Sequence, residues 1–305
     1  PRPHFGGHRP RHADRREAPE TSRPTRGPAL IVHQDEHVLV VHKPSGVTAE
    51  LGPNKKARQL ESLIARELDP RHPPQLWLCH SLDREASGLV VLARDRETAG
   101  KLRDAFRQRQ AHRLYLAVVQ GTFPAEARES TIQTHIRTSK RGTVESLPPD
   151  AMTSAPPPDA DIELDAPVRL AVTHYRVEHE TPAPASTAEA PAASDDAPAA
   201  GEEGGASEAA ELPTRTLLRI RARTDHRHQV RAHLAERGHP VLGDRAYNAS
   251  DDPLARVALH ADEVSFTHPN TGETVRVRHS APADFWTLVG ATPPARATPE
   301  PPPPA

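Results

Sequence analysis

A single cysteine, Cys79, stands in 305 residues. One thiol can close no intramolecular disulfide and build no cysteine cage for a metal, so the chain reads as an intracellular protein. No apolar run approaches the length that crosses a bilayer, and no membrane partner is expected. The N-terminal stretch PRPHFGGHRPRHADRREAPETSRPTRGP has no apolar segment of the kind a secretory signal needs. The chain also lacks an initiator Met, so its numbering is expected to start inside the original product or after processing. A cytoplasmic location follows from these readings. Apolar residues make up only 35%, low for a chain packed from end to end.

Proline is what the sequence has in excess. Its 34 prolines cluster in the tails and in internal low-complexity segments. Residues 1–28 are rich in Arg, Pro and His and cannot bury enough surface to offset chain ordering, so a disordered basic tail is expected there. A Pro-rich disordered tail is expected over 291–305. Between them, 29–290 reads as one domain interrupted by a disordered acidic insertion over 181–213. Thr181–Pro213 holds seven acids and no Lys or Arg, and setting it aside turns the net charge of −2 into +5. A mildly basic remainder suits a polyanionic partner, and equally a solvated basic face.

Hydrophobic patterning places strands at Val38–His42, Leu76–Cys79, Leu89–Ala93, Leu114–Val119, Thr173–Glu180 and Thr216–Ala222. Val257–Ala261, Glu263–Phe266 and Val275–Arg278 read as three further strands. Helices are expected at Gln59–Leu68, with Leu60, Leu63, Ile64 and Leu68 on one face, at Arg96–Arg109 with Asp95 as N-cap, and at Gln229–Arg237. A last short helix is expected around Phe285, Trp286 and Leu288. Residues 127–167 carry only weak patterning.

Chemistry concentrates in two distant stretches. In HSLDREASGLVVLARD, Asp83 lies on a polar loop just ahead of a buried strand, which would fix the carboxylate while the loop exposes it. From local pattern alone, ordinary loop acids are the favoured reading of Asp83 and Glu85. Far along the chain, Arg219, Arg221, Arg223, Arg227 and Arg231 fall near His226, His228 and His233. A strand running into a helix start, with these cations, favours phosphate; a polar exposed face is the other reading. His228 and His233 are five residues apart, off a common helical face, and no cysteine completes a set, so no metal is expected. Arg231 could keep Asp83 ionised if the two met. Tyr115 could stack on a base or fill the core.

Taken together, these stretches resemble the RluA-type pseudouridine synthases. VLVVHKPSG, HSLDREASGLVVLARD, HRLYLAVVQG, TDHRHQVRAHLAERGHPVLGDRAY and LHADEVSFTHPNTGE match five family motifs in order. The resemblance implies an α+β fold: a mixed, mainly antiparallel sheet flanked by helices, with a central cleft. It implies isomerisation of uridine to pseudouridine in structured RNA, rRNA or tRNA, with no cofactor, by a monomer. Asp83 matches the catalytic aspartate, Tyr115 the tyrosine that contacts the base and Arg231 the arginine that pairs with the aspartate. His80, Arg227, His228 and Gln229 fall in the same motifs and are expected substrate contacts. The chain departs from the pattern at Ser81, where the family has Arg, at Ala86, and at Asp225-His226 in place of Gly-Arg. These departures keep open a second reading, an RNA-binding relative impaired in catalysis.

Overall fold

The computed structural model describes residues 29–51, 59–139, 143–147, 168–181 and 214–293. The expected tail 1–28, residues 294–305 of the other expected tail and all of the acidic insertion after Thr181 lie outside the described residues.

The apolar run after Gly88 explains the architecture. Strand β4 (Ser87–Ala93) is buried along its whole length. Its alternate residues serve two cores. Val90 and Leu92 enter the larger one, while Leu89, Val91 and Ala93 enter the smaller. A strand covered on both faces has no reason to alternate polar with apolar residues. Burying each such side chain contributes about 1.5–3 kcal/mol. Strand β2 (Val38–Lys43) does the same, with Leu39 and Val41 on one side and Val38 and Val40 on the other.

Around this pair the described residues form one eleven-stranded sheet. Its other strands are β1 (Leu30–Gln34), β3 (Trp77–Leu78), β5 (His112–Gln120), β6 (Glu129–Thr138), β7 (Val144–Leu147), β8 (Arg169–Glu180), β9 (Arg215–Ala222), β10 (Leu259–Thr267) and β11 (Thr274–Arg278). The order is β1-β2-β4-β10-β5-β9-β8-β6-β7, with β11 beside β10 and β3 beside β4. Neighbours run antiparallel except β4 and β10, which are parallel. At that joint Gly88 has φ +120°, and a Cβ there would lie 2.3 Å from the Ala261 amide nitrogen. Only glycine lets the two backbones come this close.

Helix α1 (Gln59–Leu68) spans the expected residues, but Leu63 is 40% exposed and Glu61 is buried in its stead. The Glu61 carboxylate accepts the Leu78 amide, which ties α1 to β3. Helix α2 (Arg96–Arg107) is capped by Asp95, whose side chain accepts the Thr98 amide, and it buries Leu102 and Phe106. Helix α3 (Gln229–Glu236) packs near β7 and β8, and α4 (Ala283–Thr287) buries Phe285 and Trp286.

Two expectations need correction. Residues 127–167 contain β6 and β7, which the sequence reading did not assign. The two strands expected at 257–261 and 263–266 are one strand, β10, interrupted by a bulge where the register with β5 shifts between Ala261 and Glu263. Asp262 is the extra residue, and its carboxylate meets Arg219 at 3.1 Å.

Candidate active site

Asp83 sits on the short loop between β3 and β4, and this loop is held from below. Lys43, at the end of β2, is fully buried and donates through Nζ to the carbonyls of Pro44, Val47, Arg84 and Ala86 at 2.6–3.2 Å. Burial pushes its ammonium down to about 7, opposed by the nearby Asp83 and Glu85. The Lys43-Pro44-Ser45-Gly46 turn is thereby stitched to the Asp83 loop. The Ser45 hydroxyl adds a bond to the Glu85 carbonyl.

Arg231 reaches this loop from α3. Its Nη1 lies 3.4 Å from Asp83 Oδ2 and 3.2 Å from Glu85 Oε2. Its Nε and Nη2 form a two-pronged pair with the buried Asp244, at 2.6 and 2.8 Å. Burial opposes its charge, but Asp244, Asp83 and Glu85 together drive the guanidinium well above its ordinary pKa. Burial pushes the Glu85 carboxyl up, yet its backbone bond and Arg231 hold it below its usual value. The second Asp83 oxygen faces the His228 amide at 3.4 Å. His228 takes φ +53° at the start of α3, which turns that N–H toward the loop.

Asp83 opens into a cleft of about 320 Å³ bordered by Tyr115, Ser81, Glu50, Thr224, Asp225 and Arg227, with His226, His228 and Leu259. Tyr115 is 6% exposed, and burial pushes its hydroxyl up to about 12, so it keeps its proton at neutral pH. Arg227 is half exposed and only loosely paired with Glu50, at 3.9 Å. His228 is nearly buried, with Nδ1 3.2 Å from the Tyr247 hydroxyl; burial lowers its pKa, against the pull of Asp83.

Two expected substrate contacts do other work. His80 is buried behind the loop and outside the cleft. Its Nε2 accepts the Val91 amide, so its proton is on Nδ1, beside the Ser81 carbonyl. Gln229 borders the cleft, but its side chain is spent: Oε1 accepts from Thr224, and Nε2 donates to the Val172 carbonyl and to Thr173. Both hold backbone in place. His228 and His233 also part company, since His233 is buried between Thr134 and Thr173. Elsewhere, His42, His260 and His279 bring ring nitrogens within 4.8 Å of one another, but His260 already uses both of its nitrogens, on Ser87 and on the His279 carbonyl.

Sequence reasoning missed Arg113. It is 5% exposed, pairs with Asp225 at 2.8 Å, donates to the Ser81 carbonyl and lies 6.0 Å from the Tyr115 ring centre. Burial pushes the Asp225 carboxyl up, but Arg113 brings it below its ordinary value. Arg113 thus touches both positions, Asp225 through its carboxylate and Ser81 through the backbone carbonyl alone. Asp244 was also missed. Both signals were present in the quoted stretches HRLYLAVVQG and GDRAY, where neither residue was singled out.

Residues 37–236 match the family model described as RNA pseudouridylate synthase. The chain belongs to that family. Among its relatives, the Dual-specificity RNA pseudouridine synthase RluA of Escherichia coli K12 is 30% identical over 271 residues, covering 87% of this chain and 99% of the relative. The Ribosomal large subunit pseudouridine synthase D of Xanthomonas campestris is 27% identical over 279 residues, covering 87% and 69%. The solved structure of Human RNA Pseudouridylate Synthase Domain Containing 1 aligns with TM-score 0.58 at 22% identity over 87% of this chain and 88% of that one, a likeness of fold. The expected α+β fold, a mixed and mainly antiparallel sheet with a cleft, is thus that of pseudouridylate synthases, and the activity of the family is isomerisation of uridine in RNA. Among the described residues no helix is long and apolar enough to cross a membrane.

Proposed function

We propose that this family member isomerises uridine to pseudouridine in rRNA or tRNA, with Asp83 as its catalytic residue. The observation that carries the reading is the Asp83 carboxylate, placed at the cleft between the Arg231 guanidinium and the His228 amide. Both groups are hydrogen-bond donors, one facing each carboxylate oxygen. The target base leaves its stack to enter a cleft of this size. The carboxylate then attacks the ribose C1′, or assists as the N1–C1′ bond breaks and N1 carries away the electron pair. The freed uracil turns, and C5 bonds to C1′, displacing the Asp83 carboxylate with its bonding electron pair where it had attached there. The proton on C5 is lost and N1 takes one up, so the product is an isomer and no group is gained. Tyr115, protonated, lies against the base. Arg231 steadies the carboxylate through the cycle without leaving Asp244.

The preserved grouping of Asp83, Tyr115 and Arg231 favours an active enzyme over an impaired RNA-binding relative. A monomer working in the cytoplasm is part of the same reading. The test uses RNA from cells lacking this gene, incubated with purified protein and mapped for pseudouridine. Asp83→Ala is expected to lower product formation about 10⁴-fold or more while RNA binding persists. Product formation by Asp83→Ala at the wild-type rate would overturn the assignment.

A further inference from the structure

The arginines of the basic stretch divide into two groups. Arg231 is committed to three carboxylates, and Arg219 to Glu178 and Asp262. Arg227 lies near Glu50. Arg221 and Arg223 meet no carboxylate among the described residues. Arg221 instead reaches the His112 Nδ1, at 3.2 Å, and its charge lowers the pKa of that already desolvated ring.

These two side chains border a second cavity, of about 260 Å³, together with Arg109, His112, Arg113 and Phe106. It shares Ala222, Thr224 and Asp225 with the Asp83 cleft, so only the end of β9 separates the two. The register shows how. Tyr115 pairs with Ile220 and Leu114 with Arg221, so Arg221 projects on the sheet face opposite Tyr115. The cleft lies on one face, the second cavity rounds the rim to the other, and the Arg113–Asp225 pair is the wall between them. Four guanidiniums border this cavity and a single carboxylate, Asp225, offsets one of them. Such an imbalance at a concave site calls for an anionic ligand.

We infer that this second cavity binds the phosphodiester backbone next to the target uridine, so that the RNA strand passes over the rim of β9 while its flipped base occupies the Asp83 cleft. The inference rests on RNA being the substrate. Phosphate contacts of this kind set register and contribute affinity without reading sequence.

The probe is a fluorescein-labelled twelve-nucleotide oligouridine, with its dissociation constant measured against salt concentration. The double variant Arg221→Gln/Arg223→Gln is expected to lower the slope of log K against log salt by about 1.4, from about 0.7 per lost phosphate contact on a single strand. Arg221→Lys/Arg223→Lys is expected to restore the slope, which a merely structural role for these side chains would not produce. A slope unchanged in the Gln variant, or unrestored in the Lys variant, overturns the inference even if the protein makes pseudouridine. A lowered slope in a protein that makes none leaves the cavity as an RNA site and removes the proposed activity instead.

Discussion

Two buried arginines pair with acids that border the cleft, Arg231 with Asp83 and Arg113 with Asp225, and they are held differently. Arg231 is 2% exposed and shared among Asp83, Glu85 and the fully buried Asp244. Arg113 is 5% exposed and has one carboxylate, Asp225, which is 38% exposed. The first side carries more acid than base and is locked by elements far apart in sequence. The second carries more base than acid and faces the rim. A reacting carboxylate needs a fixed cationic neighbour, whereas a passing polyanion needs cations in surplus. Under the proposed function, the same residue types, paired in different ratios, would serve each.

The largest break in this comparison is expected from Arg231→Met. It leaves the buried Asp244 side chain without its two-pronged partner, and breaking a buried pair from one side costs about 3–5 kcal/mol. Urea denaturation would show the midpoint fall, and product formation would fall with it. Arg113→Met should cost less, about 2 kcal/mol, because Asp225 can hydrate once freed and only bonds to charged groups are lost. If the two variants lost equal stability, the distinction between a locked side and an open side would fail.

A finer test is pH. Burial pushes His80 down to about 3, from an ordinary value near 6.5. The unfolded chain therefore binds a proton at higher pH than the folded one. The contribution of His80 is fully present above pH 6.5 and is lost as pH falls toward 3. The slope it adds is at most about 1.4 kcal/mol per pH unit. Denaturation of a His80→Gln variant at pH 4.5, 5.5 and 6.5 should show that slope reduced. An unchanged slope would assign acid sensitivity to other buried histidines, of which His260, pushed by burial to about 3, is the first.

Much of this fold was legible because its central strands are apolar without interruption and its helices have clear ends. The far side of the sheet was not. In β6, Ser130, Ile132, Thr134, Ile136 and Thr138 share one face, but the hydroxyl residues between the isoleucines hide the two-residue period. They fit because Thr134 bonds to His233 and to Ser146, so the face is partly polar by design of its partners. The bulge at Asp262 broke one strand into two for a similar reason: a charge interrupts the apolar alternation, and its partner Arg219 is 43 residues away. Motif resemblance indicated Asp83, Tyr115 and Arg231. It also drew in His80 and Gln229, which lie in the same motifs but whose side chains are engaged by Val91 and by Thr224, Val172 and Thr173. Lys43 went unrecognised since its four acceptors are backbone carbonyls, which leave no mark in side-chain pattern.

The joint at Gly88 sets an order of events during synthesis. A nascent chain that has reached Ser250 already contains Asp83, Tyr115, Arg231 and Asp244, and every residue bordering the cleft but Leu259. It still lacks β10, whose Ala261 backbone presses against Gly88 and closes the gap between β4 and β5. Closure of the sheet therefore waits on a segment that adds only Leu259 to the cleft border, and a product truncated shortly before it would leave β4 and β5 unjoined although nearly all of the cleft residues were already present.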